Sequence, residues 1–169
     1  LYSVDTLIVK DTHEYLINYL KENYYDEIKD LKLIAITGTN GKTTSCYLIS
    51  QMLNNLGIKC GYIGTIGFYI NEKIKDLNNT TPDILDIYEM LLECKKNGCE
   101  YVALEASSHA LSKDRLKGLL FDYAVFTNLT EEHLDYHKTM ENYALSKQKL
   151  FSMLKSYGKA IVNIDSEYK

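Results

Sequence analysis

Residues 33–44 read Leu-Ile-Ala-Ile-Thr-Gly-Thr-Asn-Gly-Lys-Thr-Thr, an apolar run followed by a glycine-rich turn and a polar stretch. The run is typical of a buried strand, and the residues from Lys42 onward are typical of a helix. Backbone N–H groups of a turn between them, together with the positive end of the helix dipole, can hold phosphate. The residues predicted to bind phosphate are Gly38, Thr39, Asn40, Gly41, Lys42, Thr43 and Thr44.

Two side chains of this loop carry the expected chemistry. Lys42 is expected to reach the β- and γ-phosphates of a nucleotide, and the hydroxyl of Thr43 is expected to bind Mg²⁺. Ile36 stands where the standard P-loop pattern has its first glycine, so the spacing departs from that pattern. The alternative is a plain turn with a helix-capping lysine, but the order of strand, loop and helix favours phosphate binding.

The rest of the chain alternates short apolar runs with amphipathic stretches, which predicts an α/β fold with a mostly parallel sheet flanked by helices. Besides 33–37, strands are expected over residues 60–63, 66–70, 101–104, 121–126 and 160–164. Helices are expected over residues 11–25, 42–56, 81–97 and 140–154, and a polar turn over 71–79. Residues 4–9 could be one more strand or the tail of an upstream unit.

Two of these helices carry more specific expectations. Asp11 is expected to cap the first, whose buried face would carry Tyr15, Leu16, Tyr19 and Leu20. Thr81 is expected to cap the third, with Pro82 and Asp83 in its first turn.

Composition narrows the class of protein. The 169 residues are 46% hydrophobic and 25% charged, which is typical of a globular chain, and the length suggests one domain at roughly 150 residues per domain. With a net charge of −4 there is no global positive field, so a nucleic-acid partner is not expected. No apolar run reaches the roughly 18 residues of a transmembrane helix, so no membrane partner is expected either. The four cysteines lack CxxC spacing and are expected to be reduced thiols of a cytoplasmic protein.

Polar residues follow two more of the expected strands at the point where each strand ends. Glu105 closes the run 101–104, where a P-loop enzyme usually has its second Mg²⁺ ligand, although a carboxylate there can also simply reach solvent. Residues 127–137 follow the run 121–126 and contain two histidines and three carboxylates, which favours a metal or phosphate role. In an open parallel sheet, ligands bind beyond the carboxyl ends of the strands. We therefore expect both segments to meet the glycine-rich loop around one Mg-nucleotide.

Lys147 lies within an apolar stripe on the last expected helix. The stripe consists of Met140, Tyr143, Ala144, Phe151 and Leu154. A lysine in this position either extends its ammonium group to solvent or has a function inside, and the pattern leaves both open.

Taken in order, these motifs make the sequence resemble the Mur ligase family. The matching strings are TGTNGKTT at 37–44, GTIG at 64–67, NTTPD at 79–83, EASSHAL at 105–111, TNLTEEHLDYH at 127–137 and YALSK at 143–147. The resemblance implies a P-loop type central domain and ATP-dependent amide formation through an acyl phosphate, giving ADP and phosphate. Within the family, the sequence resembles the members that add the third amino acid, a diamino acid, to UDP-N-acetylmuramoyl-L-alanyl-D-glutamate in peptidoglycan synthesis.

The resemblance also implies roles residue by residue. The catalytic set would be Lys42, Glu105, His133 and Lys147, with ATP phosphates on residues 38–44. Thr43 and Glu105 would bind one Mg²⁺ and His133 a second. Lys147 matches a family lysine that CO₂ carbamylates, which would make it an anionic oxygen ligand of the metal. The residues expected to hold the UDP-muramoyl dipeptide are Asn79, Thr80, Thr81, Ser107, Lys113 and Arg115, of which Lys113 replaces a frequent glutamine.

The family pattern extends beyond this chain. Residues 31–169 would form part of the central ATP-binding domain, after a strand and helix in residues 1–30, while the N-terminal UDP-binding and C-terminal amino-acid-binding domains would be absent. On that basis the chain is expected to be a monomeric fragment with little or no turnover alone. The alternatives are another Mur ligase, a folylpolyglutamate synthase, or an inactive nucleotide-binding fragment. A GTPase would need NKxD and DxxG strings, and neither occurs.

Overall fold

The computed structural model describes residues 6–168 and contains one seven-stranded sheet. In chain order the strands are β1 (Lys32–Thr37), β2 (Cys60–Gly64), β3 (Gly67–Ile70), β4 (Glu72–Lys75), β5 (Tyr101–Glu105), β6 (Phe121–Phe126) and β7 (Leu154–Val162). Their order across the sheet is β4-β3-β2-β5-β1-β6-β7. The pairs β2–β5, β5–β1, β1–β6 and β6–β7 are parallel, and β2–β3 and β3–β4 are antiparallel. The mostly parallel sheet predicted from the sequence is therefore confirmed.

The helices begin and end where local chemistry allows. They are α1 (Thr12–Ile28), α2 (Lys42–Asn55), α3 (Ile84–Lys96), α4 (Ser108–Ser112), α5 (Leu134–His137) and α6 (Met140–Gln148), and a 3₁₀ turn over Lys149–Met153 continues α6. The Asp11 carboxylate accepts hydrogen bonds from the first-turn N–H groups of His13 and Glu14, which confirms the predicted cap of α1. Gly57 and Gly98, at φ +80° and +77°, follow the ends of α2 and α3 in the left-handed conformation that glycine adopts without strain.

Helices cover both faces of the sheet. On one face, Cys46 of α2 packs against side chains of the central strands such as Ile34, Ile36 and Tyr62. On the other face, α1 and α3 pack against the opposite side chains of the same strands in the larger core. Within residues 6–168, no helix is both long enough and apolar enough to cross a membrane.

The structure corrects the expected boundaries of several elements. Strand β4 lies inside the stretch predicted as a polar turn. All four of its residues are exposed at the sheet edge, so their sequence has no apolar alternation that would have predicted a strand. Strand β7 begins at Leu154 rather than at residue 160, so the predicted helix over 140–154 ends at Gln148. The short helices α4 and α5 were not predicted. Residues 6–9 form no strand, and the remainder of the run 4–9 lies outside the described residues.

Two predictions about helix chemistry were wrong in whole or in part. Helix α3 begins at Ile84 with Asp83 at its N-cap, because the Thr81 hydroxyl donates instead to the Glu105 carbonyl. The buried face of α1 carries Ile17, Leu20 and Ile28, with Leu16 partly buried against the same core. The prediction is therefore confirmed for Leu16 and Leu20 and wrong for Tyr15 and Tyr19, which are exposed. The aliphatic residues make a continuous helical stripe, and a tyrosine can keep its hydroxyl in solvent.

Candidate functional site

Three adjacent strands bring the predicted motifs to one edge of the sheet. Strand β1 lies between β5 and β6, and all three run in parallel. The glycine-rich loop follows β1, Glu105 ends β5, and Thr127 follows β6. The predicted convergence of these segments is therefore present in the structure.

The glycine-rich loop is held from the β6 side. The Thr127 hydroxyl and the Asn128 amide both donate to the Asn40 carbonyl, at 2.7 and 3.1 Å. The Asn128 side-chain and backbone oxygens accept from the N–H groups of Asn40 and Thr39. Gly38 has a φ of +150°, and a Cβ there would overlap the Thr127 hydroxyl, so this close approach requires glycine.

Thr39 and Thr44 occupy opposite environments in this loop. The Thr39 hydroxyl is buried, accepts from the Thr130 N–H at 3.0 Å and lies 3.1 Å from the Tyr143 hydroxyl. The Thr39 side chain therefore connects the loop to the segment after β6 and to helix α6, a role that the sequence motif did not predict. Thr44 is exposed in the first turn of α2. Gly41 caps that helix without a side-chain hydrogen bond, so no side chain at the N-cap competes for the N–H groups of the first turn.

Lys42 points back over the loop. Its Nζ donates to the carbonyl oxygens of Gly38 and Thr39, at 2.9 and 2.7 Å. Burial lowers the pKa of Lys42, while the charges of Glu105 and Glu132 act in the opposite direction. The Lys42 ammonium group therefore lies directly over the glycine-rich turn.

Glu105 is fully buried and its two oxygens have different partners. Oε1 accepts from the Tyr62 hydroxyl at 2.5 Å and from the Thr65 N–H at 2.9 Å. Oε2 accepts from the hydroxyls of Thr43 and Thr65, at 2.8 and 3.2 Å. Burial and the hydrogen bond to Glu105 raise the pKa of Tyr62, so its hydroxyl stays protonated and donates. The predicted pair of Thr43 and Glu105 is in direct contact.

These oxygens suit a hard divalent cation. Mg²⁺ prefers oxygen ligands and usually takes only one or two from the protein, the others coming from water and phosphate. Glu105 Oε2 and the Thr43 and Thr65 hydroxyls form such an oxygen set. Within residues 6–168, no three His, Cys, Asp or Glu side chains come together as a metal site, so the set is one carboxylate with hydroxyls.

Lys147 is buried, with 2% of its surface exposed, so the alternative in which it extends to solvent is wrong. Its Nζ donates to the Gly38 carbonyl at 2.8 Å and lies 4.4 Å from the centre of the Tyr143 ring. Burial lowers the pKa of Lys147 to about 7, and the nearby charge of Lys42 acts in the same direction. Both lysines thus share one carbonyl oxygen.

His133 lies in a cluster of rings beside Lys147. Its side chain is 42% exposed, and its ring lies 5.0 Å from that of His109 and 6.1 Å from that of Tyr143. His137 is buried, stacks on Tyr143 and places Nε2 3.0 Å from the Ser108 hydroxyl. Burial lowers the pKa of His137, which favours the neutral ring. His133 contacts this cluster and places Nε2 3.7 Å from the Glu132 carboxylate, whereas Glu105 belongs to the hydroxyl set around Thr43.

The predicted substrate residues divide into two groups. The Thr81 hydroxyl is buried and bonded to the Glu105 carbonyl and to Ser107, and the Thr81 carbonyl accepts from Arg115 at 3.1 Å. Arg115 also pairs with Asp83 at 3.0 Å, which ties the start of α3 to the segment after α4. Thr80 instead contacts the segment that follows β2, where its hydroxyl lies 3.0 Å from that of Thr65. Asn79 and Lys113 are exposed, the latter at the end of α4.

Sequence reasoning missed Tyr62 and Thr65 as members of the site. Thr65 directly follows β2 at the same edge of the sheet, and a hydroxyl residue in that position could have been predicted to belong to the site. Tyr62 gave no signal, because a tyrosine inside a strand is typical of a core.

Known proteins resemble this chain both in sequence and in fold. The family model "Mur ligase middle domain" matches residues 36–169. A UDP-N-acetylmuramoyl-L-alanyl-D-glutamate–2,6-diaminopimelate ligase of Fusobacterium nucleatum is 44% identical over 95% of this chain and 33% of its own length. A solved structure described by the same enzyme name is 38% identical, with a TM-score of 0.77 over 92% of this chain and 31% of its own. A structure of a bifunctional folylpolyglutamate synthase/dihydrofolate synthase is 17% identical, with a TM-score of 0.66. That match covers 89% of this chain and 42% of the other protein's chain, and it shows a similarity of fold alone. The chain spans about a third of the length of the curated relatives it matches.

Proposed function

Because the chain belongs to the Mur ligase family, we propose that it is the nucleotide-binding part of an ATP-dependent amide ligase of peptidoglycan synthesis. The substrates would be UDP-N-acetylmuramoyl-L-alanyl-D-glutamate and a diamino acid. The observation that carries the proposal is the contact of Thr43 with Glu105 beneath Lys42, at the carboxyl ends of β1 and β5. This arrangement fits a phosphate chain with its cation.

The reaction would bring two anions together. The D-glutamate carboxylate attacks the γ-phosphorus, ADP leaves with the bridging oxygen, and the amine then displaces phosphate from the acyl phosphate. When bound at Glu105 and Thr43, Mg²⁺ would supply positive charge that offsets this repulsion. Lys42 would move its ammonium group from the carbonyls of Gly38 and Thr39 to the phosphate oxygens.

Lys147 would act as a carbamate in this proposal. With a pKa of about 7 its amine is largely neutral above that pH, and a neutral amine can attack CO₂ and release a proton. The product is an anionic oxygen group buried beside the Lys42 ammonium. Together with His133 it would offer ligands to a second cation.

The anionic substrate would lie on the Glu105 side of the phosphate loop, because Thr80 contacts Thr65 and Thr81 contacts the Glu105 carbonyl. Thr80 and Ser107 place hydroxyl groups there, and Arg115 supplies a guanidinium whose five N–H groups exceed the two acceptors it now meets. Thr81 would not contact the substrate through its hydroxyl, which already donates to the Glu105 carbonyl, and would instead hold the neighbouring Ser107 in place. Asn79 and Lys113 would contact the substrate at the exposed rim.

Calorimetric titration with ATP and Mg²⁺, for the natural sequence and for Lys42→Ala, tests the proposal. Loss of charge-assisted hydrogen bonds to phosphate should weaken ATP binding by about tenfold or more. Lys10→Ala, which removes an exposed lysine distant in sequence from the loop, should bind ATP as the natural sequence does. Equal ATP affinity in all three proteins would refute the phosphate role of the loop.

The reaction itself is tested on the chain in its complete natural length. Amide formation from the muramoyl dipeptide, a diamino acid and ATP is expected, with one phosphate released for each amide. Turnover with a folate and glutamate instead would favour the folylpolyglutamate synthase alternative and contradict the proposed substrate.

A further inference from the structure

We propose that Tyr62 is a positioning residue that anchors one oxygen of Glu105, so that the other oxygen faces Thr43 and the cation. This inference deepens the proposed function and rests on it. Tyr62 would touch neither nucleotide nor metal, and would act only through the carboxylate.

The donors around Glu105 are divided between its two oxygens. Oε1 meets a buried tyrosine hydroxyl and a backbone N–H, from Tyr62 and Thr65, neither of which a small ion can easily displace. Oε2 meets only the side-chain hydroxyls of Thr43 and Thr65, which can rotate to present their oxygens instead. Oε1 is thus the fixed oxygen and Oε2 the exchangeable one.

Tyr62 is itself held rigidly. Its ring is fully buried and makes edge contacts with the rings of Tyr47 and Tyr69, at centroid distances of 5.7 and 5.8 Å. Gly64, two residues on, faces the same side, and a Cβ there would overlap both the Tyr62 hydroxyl and Glu105 Oε1. The absence of a side chain at Gly64 is what lets the tyrosine and the carboxylate meet.

A rigid donor on one oxygen fixes the rotation of the carboxylate. Without the Tyr62 hydroxyl, Glu105 would keep the Thr65 N–H but could turn about its terminal bond, whose energy profile is broad. A carboxylate that must be reoriented binds a cation less tightly, because the ordering then occurs at the moment of binding.

The test compares Tyr62→Phe with Tyr69→Phe in the chain at its complete natural length. Each substitution removes one hydroxyl from the same ring cluster and keeps the ring, and only Tyr62 bonds Glu105. Mn²⁺, the probe, is titrated in the presence of ADP and its free concentration followed by electron paramagnetic resonance. ADP affinity in a chelator is measured separately, and thermal unfolding checks that both variants are folded.

For Tyr62→Phe we expect the Mn²⁺ dissociation constant to rise roughly tenfold, the size typical of one hydrogen bond to a charged group. Metal-free ADP affinity should not change, and Tyr69→Phe should match the natural sequence in both measurements. Unchanged Mn²⁺ affinity in Tyr62→Phe, or an equal loss in both variants, would overturn the positioning role.

A double-mutant comparison with Glu105→Gln separates action through the carboxylate from a general effect. If Tyr62 acts through Glu105, adding Tyr62→Phe to Glu105→Gln should weaken Mn²⁺ binding less than twofold further. A further tenfold loss would place the effect of Tyr62 elsewhere and contradict the inference. If the natural sequence binds no Mn²⁺ with ADP, the proposed function fails first, and that result differs from a failure of Tyr62 alone.

Discussion

Replacing Lys42 by methionine should raise the pKa of Lys147. Both ammonium nitrogens donate to the Gly38 carbonyl oxygen, at 2.9 and 2.8 Å. Two positive groups that share one acceptor repel each other, and this repulsion adds to burial in lowering the pKa of Lys147 to about 7. Methionine keeps a side chain of similar length and removes the charge, so the repulsion disappears while the packing is largely kept.

The shared acceptor sets the size of the effect. Since neither nitrogen is more than 2.9 Å from that oxygen, the two nitrogens are at most about 6 Å apart. Two unit charges at about 6 Å repel by about 0.7 kcal/mol in water and by about 3 kcal/mol at an effective dielectric constant of 20. At 1.36 kcal/mol per pKa unit, the pKa of Lys147 should rise by roughly 0.5 to 2 units. The neutral fraction of its amine at pH 7 should then fall from about half to between about a quarter and a hundredth. In Lys42→Met the Gly38 carbonyl would accept a hydrogen bond from Lys147 alone, which also favours the protonated amine and raises its pKa.

The pKa of Lys147 can be followed directly by NMR of ¹³C-labelled lysine side chains in CO₂-free buffer. Lys42→Arg, which keeps the charge, is the matched control and should move the pKa less than Lys42→Met does. With ¹³C-labelled CO₂ added at a fixed dissolved concentration, carbamate signal should decrease as the pH falls through about 7 in the natural sequence, because protonation removes the nucleophile. A pKa that stays the same or falls in Lys42→Met would refute the reasoning.

Two further substitutions test the framework of the site. Gly38→Ala should weaken ATP binding in calorimetry by about tenfold or more, because its Cβ would overlap the Thr127 hydroxyl. The control is Gly57→Ala, which is also at positive φ but faces open space. It should lower the free energy of unfolding by only about 1 kcal/mol and leave ATP affinity unchanged. Lys155→Met should lower the free energy of unfolding by about 3 kcal/mol in urea titrations. The largely buried Asp122 carboxylate would lose its cationic partner at 2.9 Å and keep the Leu33 N–H as a donor. Adding Asp122→Asn should recover part of that loss, and no recovery would contradict the unpaired-charge explanation.

The order of elements and the edge that carries the site could be predicted from the sequence. Apolar runs that end in Gly38, Glu105 and Thr127 mark buried parallel strands, and the carboxyl ends of parallel strands lie at one edge. Local pattern was sufficient here because these strands are buried on both faces and leave continuous apolar runs.

The sheet edges were predicted only in part: residues 160–162 of β7 fall within the expected strand 160–164, whereas β4 and residues 154–159 of β7 were missed. Strand β4 and most of β7 are exposed, and their residues alternate no more than those of a loop. What makes them strands is hydrogen bonding to β3 and β6, a long-range property that no local window contains. The end of α6 was misplaced for this reason, since Leu154 fits a helical stripe as well as it fits the start of an edge strand.

Lys147 and Tyr62 show why the details of the site require the fold. Helical spacing placed Lys147 on an apolar stripe and left its direction open. The direction is set by the Gly38 carbonyl, which lies 109 residues earlier in the chain and 2.8 Å away in space. Tyr62 fits its strand as an ordinary core residue, and only the register of β2 against β5, together with the missing side chain at Gly64, puts its hydroxyl on Glu105. In both cases the residue type agrees with burial, while the proposed role depends on one polar atom whose partner is distant in the sequence. Sequence can therefore indicate which residues carry charge near the site, but the hydrogen-bond partners that orient those charges become visible only in the folded chain.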